Sequence, residues 1–144
     1  MPDARFEGRY EMTIDAKGRL FFPAKHREKL GGNLLHITRG LDGCLFAFTD
    51  EQWEGFKEKM SGLPVGKSRG MDRYFIGNSS TAEMDAQGRL TIDQKLRDFV
   101  GLGKEITIVG LRERIEIWDT ARWNEMNDAL TADQVDAMLQ DVDF

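Results

Sequence analysis

Two short segments of the chain carry the same polar residues in the same order. Residues 15–19 read Asp-Ala-Lys-Gly-Arg, and residues 85–89 read Asp-Ala-Gln-Gly-Arg. In each segment a carboxylate precedes a guanidinium group, and the glycine between them, Gly18 or Gly88, suits the positive φ of a tight turn. The aspartate can accept backbone N–H hydrogen bonds of the turn or pair with the arginine four positions on, so the pattern can hold a guanidinium group at a turn.

A purely structural role is the alternative for these motifs. Asp15–Arg19 and Asp85–Arg89 could be ion pairs that only fix a turn. However, the motif recurs at corresponding places and is followed each time by a leucine, a short strand and a basic helix. This recurrence favours a function beyond turn formation.

Catalytic and metal-binding alternatives find little support in the sequence. The two histidines, His26 and His36, and the single cysteine, Cys44, form no cluster at metal-ligand spacing. The sequence contains no Walker loop, no GxGxxG segment and no serine in a nucleophile elbow. Cys44 is flanked by Leu45 and Phe46, a context typical of buried packing. We therefore expect no catalytic residue, no metal site and no cofactor.

Residues around the two motifs also repeat, which indicates a tandem duplication of one small unit. Gly31 aligns with Gly101 and Trp53 with Trp123, and no gap interrupts the alignment between these points. A unit of about 50 residues would be marginal alone. We therefore expect the two copies to share one hydrophobic core.

Each copy is predicted to contain short strands around glycine-containing turns. The alternation of residues 114–118, Arg-Ile-Glu-Ile-Trp, is typical of a half-buried strand. The predicted strands cover residues 10–14, 20–22, 34–38 and 44–48 in the first copy and residues 105–109 and 115–118 in the second.

Each copy is also predicted to contain two helices. Pro23 suits the first turn of a helix that ends before Gly31. Asp93, at the aligned position, is a good N-cap for a helix that ends before Gly101. A closing helix follows in each copy, because apolar residues recur there at helical spacing. These apolar residues are Trp53, Phe56 and Met60 in the first copy and Trp123, Met126 and Leu130 in the second.

The predicted organisation has four parts. A first repeat covers residues 8–54, and a second covers residues 82–125. Residues 61–80, rich in Gly, Ser and Pro at their start, are predicted to form a linker with a short helix near residues 72–77. Residues 131–144 are predicted to form an acidic C-terminal helix or tail. Its apolar face would contain Val135, Met138, Leu139 and Val142.

Charge is unevenly distributed along the chain of 144 residues, whose formal net charge is −5. Residues 5–39 carry eight basic and four acidic side chains, whereas residues 116–144 carry eight acidic and one basic. A local basic face can bind phosphates despite a negative net charge, and solvated faces are the alternative. No apolar run approaches the ~20 residues of a membrane span, and the N-terminus does not read as a signal peptide. A single cysteine fits a reducing cytoplasm.

These residues resemble the two repeats of the MraZ family. Residues 10–20, Tyr-Glu-Met-Thr-Ile-Asp-Ala-Lys-Gly-Arg-Leu, together with Pro-Ala-Lys at 23–25 and Arg27, are similar to the first repeat. Gly77 and residues 83–90, Glu-Met-Asp-Ala-Gln-Gly-Arg-Leu, are similar to the second. The resemblance covers nearly the whole chain. It departs from the family pattern at the two phenylalanines before Pro23, where a smaller or polar residue often stands.

The resemblance implies a fold and a function. The fold would be mainly β with short helices (α+β), a tandem pseudo-two-fold swapped-hairpin β-barrel of the AbrB/MazE type with its helices packed outside. The protein would be a cytoplasmic, nucleoid-associated transcriptional regulator that binds double-stranded DNA. A ring-like homo-oligomer would bind short direct repeats upstream of its own operon, the division and cell wall gene cluster. No membrane and no small-molecule substrate are expected.

Each candidate residue has a role in this hypothesis. Arg19 and Arg89 would read base edges in the major groove, and Asp15 and Asp85 would hold the two guanidinium groups in place. Gln87 would weaken the phosphate contact of the second loop or read a base edge. Other basic side chains would contact phosphates, which position a protein without reading sequence. The phosphate-binding candidates are Arg9, Lys17, Lys25 and Arg27.

A second class of function remains open. The same fold also serves as an oligomeric scaffold, or as an antitoxin that binds a partner protein, without specific DNA binding. Phosphate binding weakens steeply with salt, whereas an apolar protein interface does not. Ionic strength therefore distinguishes the two classes.

Overall fold

The computed structural model describes residues 6–22, 27 and 32–143. Within these ranges the chain forms eight β-strands, five α-helices and one π-helical turn. The strands are β1 (Phe6–Thr13), β2 (Arg19–Phe21), β3 (Leu34–Arg39), β4 (Leu45–Phe48), β5 (Ser80–Glu83), β6 (Arg89–Thr91), β7 (Glu105–Arg112) and β8 (Arg114–Asp119). The helices are α1 (Asp50–Ser61), α2 (Val65–Met71), α3 (Gln94–Val100), α4 (Thr120–Ala129) and α5 (Ala132–Met138), and the π-helical turn covers Asp72–Ile76.

Strand pairing crosses between the two copies. β1 pairs antiparallel with β7, and β5 pairs with β3, so the first strand of each copy joins the third strand of the other. β4 pairs with β8 at the centre of the six-stranded sheet, whose order is β1-β7-β8-β4-β3-β5. This order is unchanged when the copies are exchanged, which makes the sheet pseudo-two-fold. β2 and β6 form a separate two-stranded ribbon.

One hydrophobic core is lined by both copies, as the sequence predicted. Apolar burial is the main favourable term in folding, and here neither copy could complete that burial without the other. Buried residues of this core include Leu20, Phe22, Leu35 and Ile37 from the first copy and Leu90, Ile92, Ile106 and Ile108 from the second.

The closing helices pack on a second apolar cluster. The N-terminus of α1 has a capping box between Thr49 and Gln52, which satisfies two backbone N–H groups. Trp53 and Met60 are buried in the cluster and Phe56 packs against it, so the stripe predicted for the first copy is confirmed.

The second closing helix follows its predicted stripe only in part. Trp123 and Met126 pack against the second cluster. Leu130, however, is 56% exposed, because α4 ends at Ala129 and Leu130 is the C-cap. The prediction that Leu130 continues the apolar stripe is therefore wrong.

The segment between the copies is more regular than its composition indicated. Its Gly- and Ser-rich part forms α2, which has no buried side chain. The π-helical turn follows, and there the predicted docking on the core is confirmed. Phe75 is buried, and its carbonyl accepts a hydrogen bond from the Thr38 hydroxyl group (2.5 Å). The Tyr74 hydroxyl group donates to the Gly40 carbonyl (2.7 Å).

The predicted caps of α3 are confirmed. The Asp93 carboxylate accepts from the Lys95 N–H (3.1 Å), and Gly101 ends the helix in the left-handed conformation with φ of 65°. The helix predicted to begin at Pro23 lies outside the described residues, apart from Arg27.

The C-terminal segment forms α5, as predicted. Thr131 is its N-cap, in a capping box with Gln134. Val135, Met138 and Val142 are exposed, so their apolar face is not buried in this chain.

The α+β part of the predicted fold class is confirmed. Among the described residues β1 and β5 are the edges of the six-stranded sheet and do not pair with each other. Closure into a barrel therefore stays a prediction. Within the same ranges, no helix combines the length and the apolar character that crossing a membrane requires.

Candidate nucleic-acid interface

The two Asp/Arg motifs meet at the β2–β6 ribbon. Backbone bonds extend the ribbon symmetrically: the Phe22 N–H donates to the Gly88 carbonyl (3.0 Å), and the Ile92 N–H donates to the Gly18 carbonyl (2.8 Å). Each turn therefore lies beside the end of the other copy's strand. The ribbon pairs Arg19 with Thr91, Leu20 with Leu90 and Phe21 with Arg89.

The side chains of the ribbon divide between two faces. Leu20 and Leu90 are 3% and 2% exposed and point into the shared core. Successive side chains of a strand point to opposite faces, so the residues on either side of each leucine share the outer face. That outer face carries Arg19, Phe21, Arg89 and Thr91.

The first loop is built around the Asp15 carboxylate. Its Oδ1 accepts from the backbone N–H groups of Lys17 (3.0 Å) and Arg19 (2.9 Å). Its Oδ2 accepts from Arg19 Nε (2.7 Å). The Gly18 N–H donates to the Asp15 carbonyl (2.9 Å), which closes a turn with φ of 83° at Gly18. One carboxylate thus fixes both the backbone and the arginine side chain.

The second loop repeats this geometry. Asp85 Oδ1 accepts from the N–H groups of Gln87 and Arg89, both at 2.9 Å. Asp85 Oδ2 accepts from Arg89 Nε (2.8 Å), and Gly88 has φ of 82°. In both loops the arginine donates its side-chain hydrogen bond to the aspartate from Nε, and within the described residues the Nη atoms of the two arginines form no hydrogen bond. These Nη groups are the donors that a ligand would meet.

Hydrogen bonds to the carboxylates of Asp15 and Asp85 favour the ionised form of both aspartates. The backbone N–H of Arg19 is the main cause that lowers the pKa of Asp15, and its guanidinium group adds to the effect. The N–H of Arg89 lowers the pKa of Asp85 in the same way. Both aspartates are therefore ionised at neutral pH, and each ion pair is intact there.

A second pair of arginines links each loop to the other copy. Arg97 Nε donates to the Ile92 carbonyl (2.9 Å), and its guanidinium group lies where a Cβ on Gly18 would stand. Arg27 Nε donates to the Phe22 carbonyl (3.0 Å), and its guanidinium group covers Gly88 in the same way. These contacts explain why both glycines are buried although the rest of each turn is exposed.

Arg97 was not among the predicted site residues. The signal was present in the sequence, because Arg97 occupies the position in the second copy that Arg27 occupies in the first. Symmetry of the repeat, applied to every candidate residue, would have identified it.

The remaining predicted site residues lie in different places. Lys17 and Gln87 are exposed at the tips of the two turns. Arg9 is exposed on β1, opposite Val109 of β7, and so belongs to the large sheet rather than to the ribbon. Lys25 lies outside the described residues.

The residues weighed for other chemistries have packing roles. Cys44 is buried in the second apolar cluster, where its thiol donates to the Leu41 carbonyl (3.2 Å) and burial raises its pKa. His36 stacks on Trp53 and is hydrogen-bonded to Asp50. Among the described residues no three His, Cys, Asp or Glu side chains converge as a metal site would require.

Fold and site together define a class of protein: a duplicated, strand-exchanged α+β chain that presents two Asp-held arginines on one ribbon. A sequence model of the MraZ family, described as "MraZ protein, putative antitoxin-like", matches residues 5–70 and 75–142. This match covers both copies, and the chain belongs to the MraZ family of transcriptional regulators.

Curated relatives agree with this assignment. The chain is 41% identical to the transcriptional regulator MraZ of Ligilactobacillus salivarius (strain UCC118) over 141 residues, which cover 96% of this chain and 98% of the relative. It is 44% identical to the MraZ regulator of Lachnoclostridium phytofermentans over 119 residues, 82% of this chain and 84% of the relative. It is 41% identical to that of Acetivibrio thermocellus over 120 residues, 82% and 83%. Membership of a family of regulators agrees with the expectation of a non-enzymatic protein.

Proposed function

We propose that this chain regulates transcription by binding double-stranded DNA sequence-specifically through the β2–β6 ribbon. The observation that carries the proposal is the pair Arg19 and Arg89, which two aspartates hold on one outer face. The relatives' names support it, since a transcriptional regulator commonly acts at DNA.

The site is a two-stranded antiparallel ribbon, a form of structure that the major groove of DNA admits. Arg19 and Arg89 lie diagonally across the ladder, so their guanidinium groups can reach neighbouring base pairs. Each would donate its Nη hydrogens to guanine O6 and N7, while Nε stays bonded to the aspartate. An arginine already held in place loses less conformational entropy on binding, which favours affinity.

Phosphate contacts would come from the predicted basic residues, two of which lie at the turns of the ribbon. Lys17 is exposed at the first turn, and Arg27 lies against the second turn. Arg9 and Lys25 complete the proposed set. Gln87, without a charge, would make a weaker contact or read a base edge. These contacts would fix orientation on the duplex, and the two loop arginines would supply specificity.

Assembly would strengthen a contact surface that is small in one chain. A ring-like homo-oligomer could engage short direct repeats upstream of its own operon, in the division and cell wall gene cluster, at several points. After one subunit binds, binding of the next becomes intramolecular. The exposed apolar face of α5 is available for contact between subunits. The protein would act in the cytoplasm, on the nucleoid.

The test is fluorescence anisotropy with a duplex from this gene's own upstream region and a shuffled duplex of equal length, over a salt series. We expect preference for the native duplex and a steep fall in affinity with salt. Arg19→Ala should remove roughly 1–3 kcal/mol of discrimination, or about 5- to 150-fold. Arg69→Ala, on exposed α2, is the matched control and should keep the preference.

Three results would count against the proposal. Equal binding to both duplexes would indicate architectural DNA binding. Unchanged preference in the Arg19→Ala variant would remove the ribbon from the site. Binding to neither duplex, with an intact oligomer in sedimentation, would favour the scaffold function.

A further inference from the structure

Phe21 is an exposed aromatic side chain on the ribbon's outer face, at the last position of β2. It is 59% exposed, whereas the next residue, Phe22, is 1% exposed and belongs to the shared core. The fold therefore places one phenylalanine of this pair inside and leaves the other in solvent. An isolated exposed apolar residue is common, but this one stands between two groups of the candidate site.

The neighbours of Phe21 are both loop arginines. Arg89 is directly opposite Phe21 in the ladder, and Arg19 lies two positions before it on the same strand and the same face. Directly opposed side chains in an antiparallel pair lie about 4.5–5.5 Å apart at Cβ. A ligand bound by the guanidinium group of Arg89 would therefore lie within reach of the Phe21 ring.

In the major groove that adjacent surface can be apolar at only one base. Thymine presents its C5-methyl group there, beside the donors and acceptors of its neighbours, and phenylalanine is among the side chains that contact it. We infer that Phe21 is a specificity-determining residue that packs on the methyl group of a thymine next to the guanine bound by Arg89. This inference rests on the proposed DNA-binding function and deepens it.

The second half of the ribbon offers only a smaller apolar contact of this kind. At the position aligned with Phe21 it has Thr91, opposite Arg19, with a smaller side chain. The two halves of the ribbon therefore differ in the size of the apolar group beside the arginine, although the two arginines are held in the same way. The base beside the guanine at Arg89 is selected more strongly than the base beside the guanine at Arg19.

The test removes the methyl group from the DNA rather than a residue from the protein. Each thymine of the native duplex is replaced in turn by deoxyuridine, which keeps every hydrogen-bonding group. One position should weaken binding of the unaltered protein about three- to five-fold, the effect of one apolar methyl contact. That position should neighbour a guanine whose replacement by 7-deazaguanine weakens binding of wild type but not of Arg89→Ala.

A variant assigns the effect to Phe21. In Phe21→Ser the deoxyuridine penalty at that position should disappear, and the preference for the native over the shuffled duplex should fall about three- to five-fold without being lost, because both loop arginines remain. Leu41→Ser, at another exposed apolar residue, should keep the penalty. Thermal melting of both variants checks that the fold is intact.

The outcomes separate this inference from the function on which it rests. No deoxyuridine position with a penalty, or an equal penalty in Phe21→Ser, overturns the role of Phe21 and leaves the regulator proposal standing if the native duplex is still preferred. If the wild-type protein shows no preference for the native duplex, both the role of Phe21 and the regulator proposal are overturned. Phe21→Ser that binds DNA like wild type but no longer assembles would make Phe21 a protein contact instead.

Discussion

The two Asp/Arg loops share their hydrogen bonds and differ in the side chains around them. In each loop one carboxylate accepts hydrogen bonds from two backbone N–H groups and from one arginine Nε. The distance between Nε and Oδ2 is 2.7 Å at Asp15 and 2.8 Å at Asp85. Yet the first loop has Lys17 at its tip where the second has Gln87. The geometry of each turn depends on backbone N–H groups, which any residue other than proline at the tip would provide. Recognition chemistry can therefore differ between the loops while the arginines stay in one geometry.

The loops also differ in how tightly they are enclosed. A Cβ on Gly18 would lie 2.8 Å from the Ile92 backbone carbonyl as well as against Arg97. The three atoms nearest a Cβ on Gly88 all belong to the guanidinium group of Arg27, the far end of a long side chain. The first loop is the more rigidly confined of the two, although the hydrogen bonds alone would make them equal.

The largest effect expected is that of removing both loop arginines. Arg19→Ala with Arg89→Ala should abolish preference for the native duplex, and the single variants should lose similar amounts because both arginines are held alike. Each bidentate contact contributes about 1–3 kcal/mol of discrimination. Anisotropy titrations at one salt concentration measure this. If only one single variant lost preference, the functional equivalence of the loops would be wrong.

The next effect concerns stability and separates the two glycines. Gly18→Ala should lower the free energy of unfolding by about 2–4 kcal/mol, from a strained positive φ and a backbone clash. Gly88→Ala should cost about 1–2 kcal/mol, since Arg27 can move aside. Urea unfolding of both variants gives the comparison. Gly62→Ala, at a position without positive φ or close backbone contact, is the control.

A smaller effect concerns the tips of the loops. Exchanging their side chains, with Lys17→Gln or Gln87→Lys, should change the salt dependence of binding in opposite directions. Each phosphate contact contributes about 0.9 to the slope of log K against log salt concentration. Lys17→Gln should therefore flatten the slope and Gln87→Lys should steepen it, both by about one contact. Equal slopes in all three proteins would exclude phosphate contact at the tips.

The smallest effect at neutral pH is that of the aspartates themselves. Their pKa values are lowered in the folded protein, so they stabilise it above the ordinary aspartate pKa of about 3.9, and this stability is lost as pH falls through the lowered values. Between pH 5 and pH 8 the loops should contribute no pH dependence to unfolding. Asp15→Asn and Asp85→Asn should each weaken the acid-induced loss, which urea unfolding at several pH values below 5 would show.

The sequence predicted the local geometry of the two turns and of the α3 caps better than it predicted the pairing of distant strands. Aspartate, glycine and arginine at fixed spacing specify a turn through local hydrogen bonds, and α3 has both of its caps within a few residues, at Asp93 and Gly101. Such short-range chemistry is visible in a single sequence. The roles proposed for Arg19 and Arg89 at DNA remain predictions.

What the sequence did not reveal depends on distant partners. The pairing of β1 with β7 follows from which strands bury each other's apolar side chains; no local pattern encodes it, and only the family resemblance implied that the copies exchange strands. The helix α2 forms in a segment whose glycines and serines indicated a linker, so tertiary context outweighed propensity there. Leu130 fits the periodicity of α4 but stands one residue beyond its end.

Strand exchange also determines when, during translation, the first strand of the chain can pair. The first strand, Phe6–Thr13, finds its partner only when Glu105–Arg112 has been synthesised. At roughly 5–20 residues per second, about a hundred intervening residues take around 5–20 s to translate. During that interval the first copy is complete in sequence, yet its own leading strand has nothing to pair with. A nascent chain released before Arg112 would therefore emerge with a bare strand edge, the feature that promotes aggregation.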